Sequence, residues 1–316
     1  MEEKDLFGNV VVKDPLLRDK FIEPPFSVIL TNSGSWQTRK RLWGNIGIES
    51  EVGRGVNMID KSAMSVGITD DETKKIWNKS RRGEDLSDDE LKVIKPYAKK
   101  NSATSIFDPA LCEVLYHWFC PPNGRILDPF AGGSVRGIVA HKLGYKYTGI
   151  DIRHEQVQSN ISQAIKILGA DNCPKWLDGD SNIVLDDPSL NNEKFDFVFS
   201  CPPYADLEVY SDLKGDISNM PYSDFLVAYE SIIAKSCNKL VDGGMACFVV
   251  GEVRDKNGSY IGFVPDTIKA FKKAGLHFYN EAVLVNSLAS AGMRANANMK
   301  KSKLVKVHQN ILIFKK

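Results

Sequence analysis

One stretch, residues 124–151, combines residue types and spacing that could bind a ligand. Its short apolar run 124–127 ends at the glycine-rich turn DPFAGGS of residues 128–134, and a helical pattern follows. A second apolar run, 146–150, ends at Asp151. This order predicts a β-strand, a loop that exposes its backbone, a helix and a second strand. The glycines and two acids are therefore expected at the same edge of one sheet.

These features favour a nucleoside ligand. Glycines let a ligand approach the backbone closely, and an acid at the end of the second strand can accept hydrogen bonds from both ribose hydroxyls. The turn lacks the lysine of G-x-x-x-x-G-K-[ST] and the full G-x-G-x-x-G pattern. The expected cofactor therefore has no pyrophosphate, which points to S-adenosylmethionine. A glycine turn in an ordinary α/β sheet is the structural alternative.

A second group of residues follows the apolar run 194–199. There Ser200 and Cys201 precede Pro202, Pro203 and Tyr204. Two successive prolines fix the backbone and remove two N–H donors, which leaves nearby carbonyls free to face a cleft. A planar amine could donate its hydrogens to the carbonyl of Cys201 or Pro202 while Tyr204 stacks on its ring. The alternative is a Pro-Pro turn that ends a buried strand.

Other candidate cofactor contacts lie before and after the glycine turn. A helix at 110–119 leads into the first strand, so residues just before it are expected beside the cofactor. An acid after the third strand could accept a hydrogen bond from an adenine amino group. The complete set of candidates is Ser105, Phe107, Asp108, Asp128, Phe130, Gly132, Gly133, Ser134, Asp151, Ile152, Asp180 and Ser200.

Composition indicates a globular protein with a full core. The chain has 316 residues, of which 43% are hydrophobic and 26% charged, and its net charge is +1. It contains no apolar run long enough to span a membrane, and its start lacks the pattern of a signal peptide, so a cytoplasmic location is expected. The six cysteines have no C-x-x-C spacing, so neither a metal site nor a disulfide framework is expected.

The pattern of elements predicts an α/β fold, with a doubly wound, mostly parallel, seven-stranded sheet and an N-terminal appendage. Strands are expected at 124–127, 146–150, 176–177, 194–199, 245–250, 277–285 and 310–314, and helices at 36–43, 110–119, 135–143, 154–168, 225–240 and 264–274. Residues 1–100 differ from the rest of the chain in their residue pattern. They are expected to form a separate N-terminal region, with a catalytic domain at 101–316. The segment 69–100 is highly charged, with two capped helix starts at 69–72 and 87–90.

Nucleic-acid contacts are expected from two basic segments. The first is the helix 36–43, whose cations could meet phosphates and whose tryptophans could stack on bases. The alternative is a helix that buries its tryptophans and solvates its arginines. The second is the loop 286–307, which is too long for a tight hairpin. The candidate contacts are Trp36, Arg39, Arg41, Arg294, Lys300, Lys301 and Lys303.

Together these motifs resemble the S-adenosylmethionine-dependent DNA amino-methyltransferases, which methylate adenine N6 or cytosine N4. The resemblance covers about residues 101–316. Besides the glycine turn, the acid after the second strand and the Pro-Pro-Tyr motif, the segments TSIFDP, SCPPYADLEVYS and GEVRD are similar to phage and prophage-encoded modification methylases. The resemblance implies a Rossmann-like methyltransferase sheet, S-adenosylmethionine as cofactor and double-stranded DNA as partner.

The resemblance also implies roles for single residues. Asp128, Phe130, Gly132 and Gly133 would line the methionine end of the cofactor, Asp151 the ribose and Asp180 the adenine. Cys201, Pro202, Pro203 and Tyr204 would hold the base. The family generally has Asp, Asn or Ser where this chain has Cys201.

This departure bears on the choice of substrate. Cysteine resembles serine in size, and serine at this place is typical of the cytosine-N4 branch, so N4 is slightly favoured over N6. Three readings remain open: a DNA amino-methyltransferase, a methyltransferase acting on RNA or a protein amide, and a non-catalytic cofactor-binding module that docks on nucleic acid.

Overall fold

The computed structural model describes residues 17–48, 70–81, 107–171, 173–204, 215–255, 257–286 and 291–316, with positions 87, 89, 90, 92, 93, 213 and 288. Ser105 and part of the segment 69–100 lie outside the described residues. The strands are β1 Val28–Leu30, β2 Arg125–Asp128, β3 Lys146–Asp151, β4 Lys175–Asp178, β5 Phe195–Ser200, β6 Leu240–Val250, β7 His277–Val285 and β8 His308–Lys315.

The helices surround this sheet. They are α1 Leu17–Phe21, α2 Gly34–Gly44, α3 Asp71–Arg81, α4 Pro109–Phe119, α5 Val135–Lys142, α6 His154–Leu168, α7 Ser181–Val184, α8 Tyr222–Asn238, α9 Phe263–Lys273 and α10 Ala291–Met299. Two short 3-10 helices lie at Pro188–Leu190 and Ile217–Asn219.

The strands form one mixed sheet in the order β1-β7-β8-β6-β5-β2-β3-β4. Only β8 runs antiparallel to its neighbours, β6 and β7; the other pairs are parallel. The predicted α/β class and its mostly parallel sheet are therefore confirmed. The strand order reverses between β2 and β5, so the loops after these two strands lie side by side, where open α/β sheets bind ligands.

Both faces of the sheet are covered, which explains the continuous apolar runs of its strands. In β6, Ala246 and Phe248 face the core beneath α8 and α9, whereas Cys247 and Val249 face the core beneath α4 and α5. Alternate side chains thus enter opposite cores, as the pleat of a strand requires.

Within the described residues, the sheet has eight strands rather than the predicted seven. The additional strand is β1, which comes from the N-terminal region and pairs in parallel with β7 from Val28 opposite Val283 to Leu30 opposite Val285. A three-residue edge strand with one buried side chain is too short for its sequence pattern to identify. The predicted loop 286–307 also differs, because it contains the helix α10.

The N-terminal helix α2 packs against α4. Trp36 is 1% exposed, and its indole N–H donates to Asp108 Oδ2 over 3.0 Å. Glu113 on α4 accepts from Arg39 Nη1 and from Trp43 Nε1, both at 2.6 Å. The prediction that Trp36 contacts nucleic acid is therefore wrong, because a buried indole with an internal acceptor cannot stack on a base.

Glu113 should anchor α2, because one carboxylate there serves two donors. We expect Glu113→Ala to destabilise the protein by about 1–3 kcal/mol, since it leaves the Arg39 and Trp43 donors without their acceptor. Urea denaturation measures the free energy of unfolding. Glu230→Ala is the matched control, because it breaks only the exposed pair with Lys273 and should cost less than about 1 kcal/mol. Equal effects of the two changes would contradict an anchoring role.

Candidate functional site

A cavity of about 550 Å³ opens at the carboxyl ends of the parallel strands. It brings together the glycine turn, the acid after β3, the acid after β4 and the Pro-Pro-Tyr segment after β5. The predicted residues that line it are Phe107, Asp108, Phe130, Gly132, Gly133, Ser134, Asp151, Ile152, Asp180, Cys201, Pro202, Pro203 and Tyr204. Two further predicted residues, Asp128 and Ser200, are fully buried beneath its wall.

The glycine turn presents open backbone to the cavity. Gly132 has φ +50°, and a Cβ atom on Gly132 or Gly133 would meet no atom within 4 Å. The turn is fixed from behind, since Gly132 N–H donates to Asp151 Oδ2 over 2.9 Å and Asn160 Nδ2 donates to Gly132 O over 2.8 Å. A ligand can therefore approach a rigid backbone without meeting a side chain.

Asp151 is a buried acid at the wall of the cavity. Its second oxygen, Oδ1, accepts from Arg153 N over 2.9 Å. Loss of hydration on burial raises the pKa of this carboxyl to about 6, although Arg153 and the two backbone N–H donors oppose that rise. The group is therefore ionised at neutral pH and close enough to its titration to respond to mild acid.

The inner face of α6 is polar where it meets the turn. Gln156 Nε2 donates to Asn160 Oδ1 over 2.9 Å, and Ser134 Oγ donates to Gln163 Oε1 over 2.6 Å. Gln156, Asn160 and Gln163 are all buried and all line the cavity. Apolar periodicity does not identify these polar residues, although their spacing of four and three residues is that of one helix face.

Asp128 lies under the cavity instead of lining the methionine end of a cofactor, which corrects its predicted position. Its Oδ2 accepts from Arg136 Nε at 2.5 Å and from Tyr147 OH at 2.7 Å. Its Oδ1 accepts from Ser200 Oγ at 2.5 Å and from Phe130 N at 3.2 Å. Ser200 is corrected in the same way, because its hydroxyl is committed to Asp128 and faces the protein interior.

Arg136 lines the cavity and was not among the predicted site residues. Its Nη2 donates to the carbonyls of Phe130 and Ala131 at 2.5 Å and 2.8 Å. Its guanidinium lies 4.7 Å from the centre of the Phe107 ring. In a sequence, an arginine in the first turn of a helix is normally interpreted as a solvated surface residue. The one sequence feature that indicates a buried ion pair here is the acid eight positions earlier, Asp128.

The Pro-Pro-Tyr segment forms another wall of the cavity. Tyr204 OH accepts from Gln309 Nε2 over 2.7 Å and lies 3.7 Å from Cys201 Sγ. The Tyr204 ring packs edge-to-face with the Phe263 ring, with centroids 6.0 Å apart. Gln309 comes from the start of β8, so the antiparallel strand orients the tyrosine that the parallel strand β5 delivers.

The other end of the site contains Asp180, which lines the cavity and caps α7. Its Oδ1 accepts from Asn182 N over 2.8 Å. A Cβ on Gly215 would lie 3.0 Å from Oδ2, so the glycine leaves room beside this oxygen. The carboxylate is thus fixed by one oxygen, and residue 215 has no side chain to cover the other.

The predicted nucleic-acid contacts lie outside the cavity. Arg41 is exposed on α2, whereas Arg39 is paired with Glu113. Arg294, Lys300 and Lys301 are exposed on α10 and just after it, and Lys303 is half-buried. Within the described ranges, no cluster of acidic, histidine or cysteine side chains could hold a metal ion, and no helix is long and apolar enough to cross a bilayer.

The solved structures that this chain resembles have low sequence identity to it. TrmN from Thermus thermophilus is 13% identical over 67% of this chain and 50% of its own, with a TM-score of 0.45. A TehB-like SAM-dependent methyltransferase from Corynebacterium glutamicum is 16% identical over 71% of this chain and 97% of its own, with a TM-score of 0.40. Magnesium protoporphyrin IX methyltransferase from Synechocystis PCC 6803 is 12% identical over 79% and 99%, with a TM-score of 0.41. The matched region is half the length of TrmN.

No curated protein sequence matches the chain. Residues 37–163 do match the model of a protein family, N6_N4_Mtase, described as DNA methylase. The match includes most of α2, which precedes the region 101–316 where the motifs lie, and it ends before the Pro-Pro-Tyr segment. This match to the DNA methylase family over residues 37–163 confirms the resemblance to the DNA amino-methyltransferases.

Proposed function

We propose that this protein transfers a methyl group from S-adenosylmethionine to the exocyclic amino group of a base in DNA, with cytosine N4 slightly favoured over adenine N6. The observation that carries the proposal is the single cavity that joins the glycine turn and Asp151 to residues 201–204. A cofactor on the first group and a planar amine on the second would be neighbours.

The residues at the turn fit S-adenosylmethionine. The open faces of Gly132 and Gly133 leave room for a ligand, and the Asp151 carboxylate suits the two hydroxyls of a ribose. The turn has no lysine for a pyrophosphate, in keeping with a nucleoside that carries none. When bound, this cofactor supplies a methyl group on a positively charged sulfur, ready for transfer to a nucleophile.

The chain's own contribution at residues 201–204 is to bind and orient the base. Main-chain carbonyls at Cys201 and Pro202 can accept the hydrogens of an amino group, because the prolines remove competing N–H donors. Tyr204 limits the base from one side, and its position is set by Gln309 and Phe263. The amino nitrogen is thereby held with its lone pair directed at the cofactor, and excluding water strengthens these contacts.

DNA as the substrate is supported by the family match and by charge. The segment 286–307 has five cations and no acidic residue, and the chain as a whole has a net charge of only +1. Among the described residues, no ion pair involves Arg294, Lys300, Lys301 or Lys303. A concentrated and unneutralised positive surface of this kind fits a nucleic-acid backbone.

The test of the proposal is transfer of a labelled methyl group to duplex DNA, RNA and protein, assayed side by side. We expect label in duplex DNA, released as N4-methylcytosine or N6-methyladenine after nuclease digestion. Label in RNA or protein alone would move the function to those substrates. Absence of transfer to all three, with cofactor bound, would leave a binding module.

Cofactor affinity should depend on pH through Asp151. Ribose hydroxyls donate to the ionised carboxylate, so affinity should be constant at neutral pH and fall as pH drops through about 6. Below that value the affinity should fall by up to about tenfold for each pH unit. Calorimetric titration with S-adenosylhomocysteine between pH 5 and 7.5 measures this affinity.

The matched control is Asp151→Asn, which should bind about tenfold or more weakly at neutral pH and lose the dependence on pH. A flat profile in the unaltered protein would remove the Asp151 carboxylate from the cofactor site.

Changes in residues 201–204 should separate a base-binding role from covalent chemistry. Cys201→Ser should retain methylation, because the proposed contacts use the main-chain carbonyl and not the thiol. Tyr204→Ala should lose a stacking contact worth about 1–3 kcal/mol, and Tyr204→Phe should keep most of it. Methylation rates are measured with cofactor affinity as the control. A folded Cys201→Ser protein that binds cofactor but has no activity would indicate a nucleophilic cysteine.

The cations after β7 should contribute to DNA binding through phosphates. Replacing Arg294, Lys300, Lys301 and Lys303 by glutamine should weaken binding to all sequences and flatten the logarithmic salt dependence by about 0.9 for each lost contact. Lys146→Gln is the control. Lys146 is an exposed cation at the amino end of β3, and the cavity lies at the carboxyl ends of the parallel strands. An unaltered slope in the fourfold variant would show that these cations do not touch DNA.

A further inference from the structure

A pair of opposite charges lines the cavity beside the glycine turn. Lys40, on α2, places Nζ 3.3 Å from Asp108 Oδ2, and both residues line the cavity. The Lys40 side chain is 46% exposed and that of Asp108 only 14%. The cation thus has an accessible ammonium, whereas its carboxylate partner is largely enclosed.

Asp108 is fixed in place by groups outside the cavity. Its Oδ2 accepts from the buried Trp36 indole over 3.0 Å, and its Oδ1 caps α4 by accepting from Ala110 N over 3.0 Å. Because α2 carries both Trp36 and Lys40, docking of this helix orients the carboxylate and supplies the ammonium together. The pair is therefore a preorganised feature of the cavity wall.

The position of the pair along the turn follows from its neighbours. Phe107, adjacent to Asp108, packs on the guanidinium of Arg136, which donates to the Phe130 and Ala131 carbonyls. The charge pair is thereby linked to the first half of the turn. The carboxylate suited to a ribose, Asp151, contacts the turn one residue further on, at Gly132.

We propose that Lys40 and Asp108 bind the amino-acid end of S-adenosylmethionine, an inference that rests on the cofactor of the proposed function. An α-amino acid carries a carboxylate and an ammonium on one carbon, and these match a lysine and an aspartate that lie 3.3 Å apart. Lys40 contacts the ligand carboxylate, and Asp108 contacts the ligand ammonium.

The same pair suits a nucleic-acid phosphate poorly. A phosphate carries negative charge without a compensating ammonium, so it would meet the Asp108 carboxylate next to Lys40 and be repelled. The charge pattern therefore favours the zwitterion of the cofactor over the backbone of the substrate. The consequence is that the N-terminal helix α2 completes the cofactor site.

The experiment compares three ligands that differ only at this end. S-adenosylhomocysteine has both charges, decarboxylated S-adenosylhomocysteine keeps the ammonium alone, and 5′-methylthioadenosine has neither; all three are uncharged at sulfur. We expect Lys40→Gln to weaken binding of S-adenosylhomocysteine by about tenfold or more, because a charge-assisted hydrogen bond is lost. Binding of 5′-methylthioadenosine should be unchanged, and that of the ligand with the ammonium alone should not weaken, because Lys40 repels this ammonium. Calorimetric titration measures all three.

Two controls accompany the titrations. Lys20→Gln removes an exposed cation of the same N-terminal segment that does not line the cavity, and it should leave all three affinities unchanged. Thermal melting of Lys40→Gln without ligand should match that of the unaltered protein, because this exposed side chain contributes little to folding.

Three outcomes would overturn the inference. An equal loss for all three ligands would mean that Lys40 acts through the structure of the cavity. Unchanged affinities together with a reduced salt dependence of DNA binding would assign Lys40 to a phosphate. Failure of the unaltered protein to bind any of the ligands would overturn the proposed function itself, and this inference with it.

Discussion

The structure depends on one buried carboxylate, that of Asp128. A charge without solvent contact is tolerated only when it is paired and its lone pairs are used, and removing a partner of such a pair is costly. Asp128 meets this condition with four donors from separate parts of the chain: Arg136 on α5, Tyr147 on β3, Ser200 on β5 and the N–H of Phe130 in the turn. Strand β2 can end in an acid at the centre of the sheet only because these four groups surround it.

This arrangement joins the two halves of the site mechanically. Ser200 immediately precedes Cys201, and Arg136 fixes the carbonyls of Phe130 and Ala131. The turn suited to a cofactor and the residue before the segment suited to a base are thus bonded to the same carboxylate. Their separation is set by hydrogen bonds of fixed length inside the core, where close packing resists adjustment. Methyl transfer requires such a fixed approach between two bound molecules.

Sequence periodicity predicted most of the sheet and its class because the central strands and helices have strong apolar patterns. Most of the residues that it selected for the cofactor and the base do line the cavity, since strand ends and glycine turns have local signatures. Polar contacts between distant segments have no such signature. The burial of Trp36, the pairing of Arg136 with Asp128 and the role of Asn160 each depend on a partner brought together only by folding. The short strand β1 and the helix α10 were missed because neither has a periodic apolar face.

The connection between β7 and β8 has a consequence for how this fold can vary. Val285 and His308 are register partners at the ends of the two strands, and Asn286 N–H donates to Val307 O over 2.9 Å just beyond them. The segment that carries α10 therefore leaves and rejoins the sheet at one closed hairpin base. Lengthening or replacing such an excursion adds little to the entropy of closing it and leaves the strand register unchanged. The segment between β7 and β8 can therefore vary in length and sequence while the strands that position the cavity keep their register.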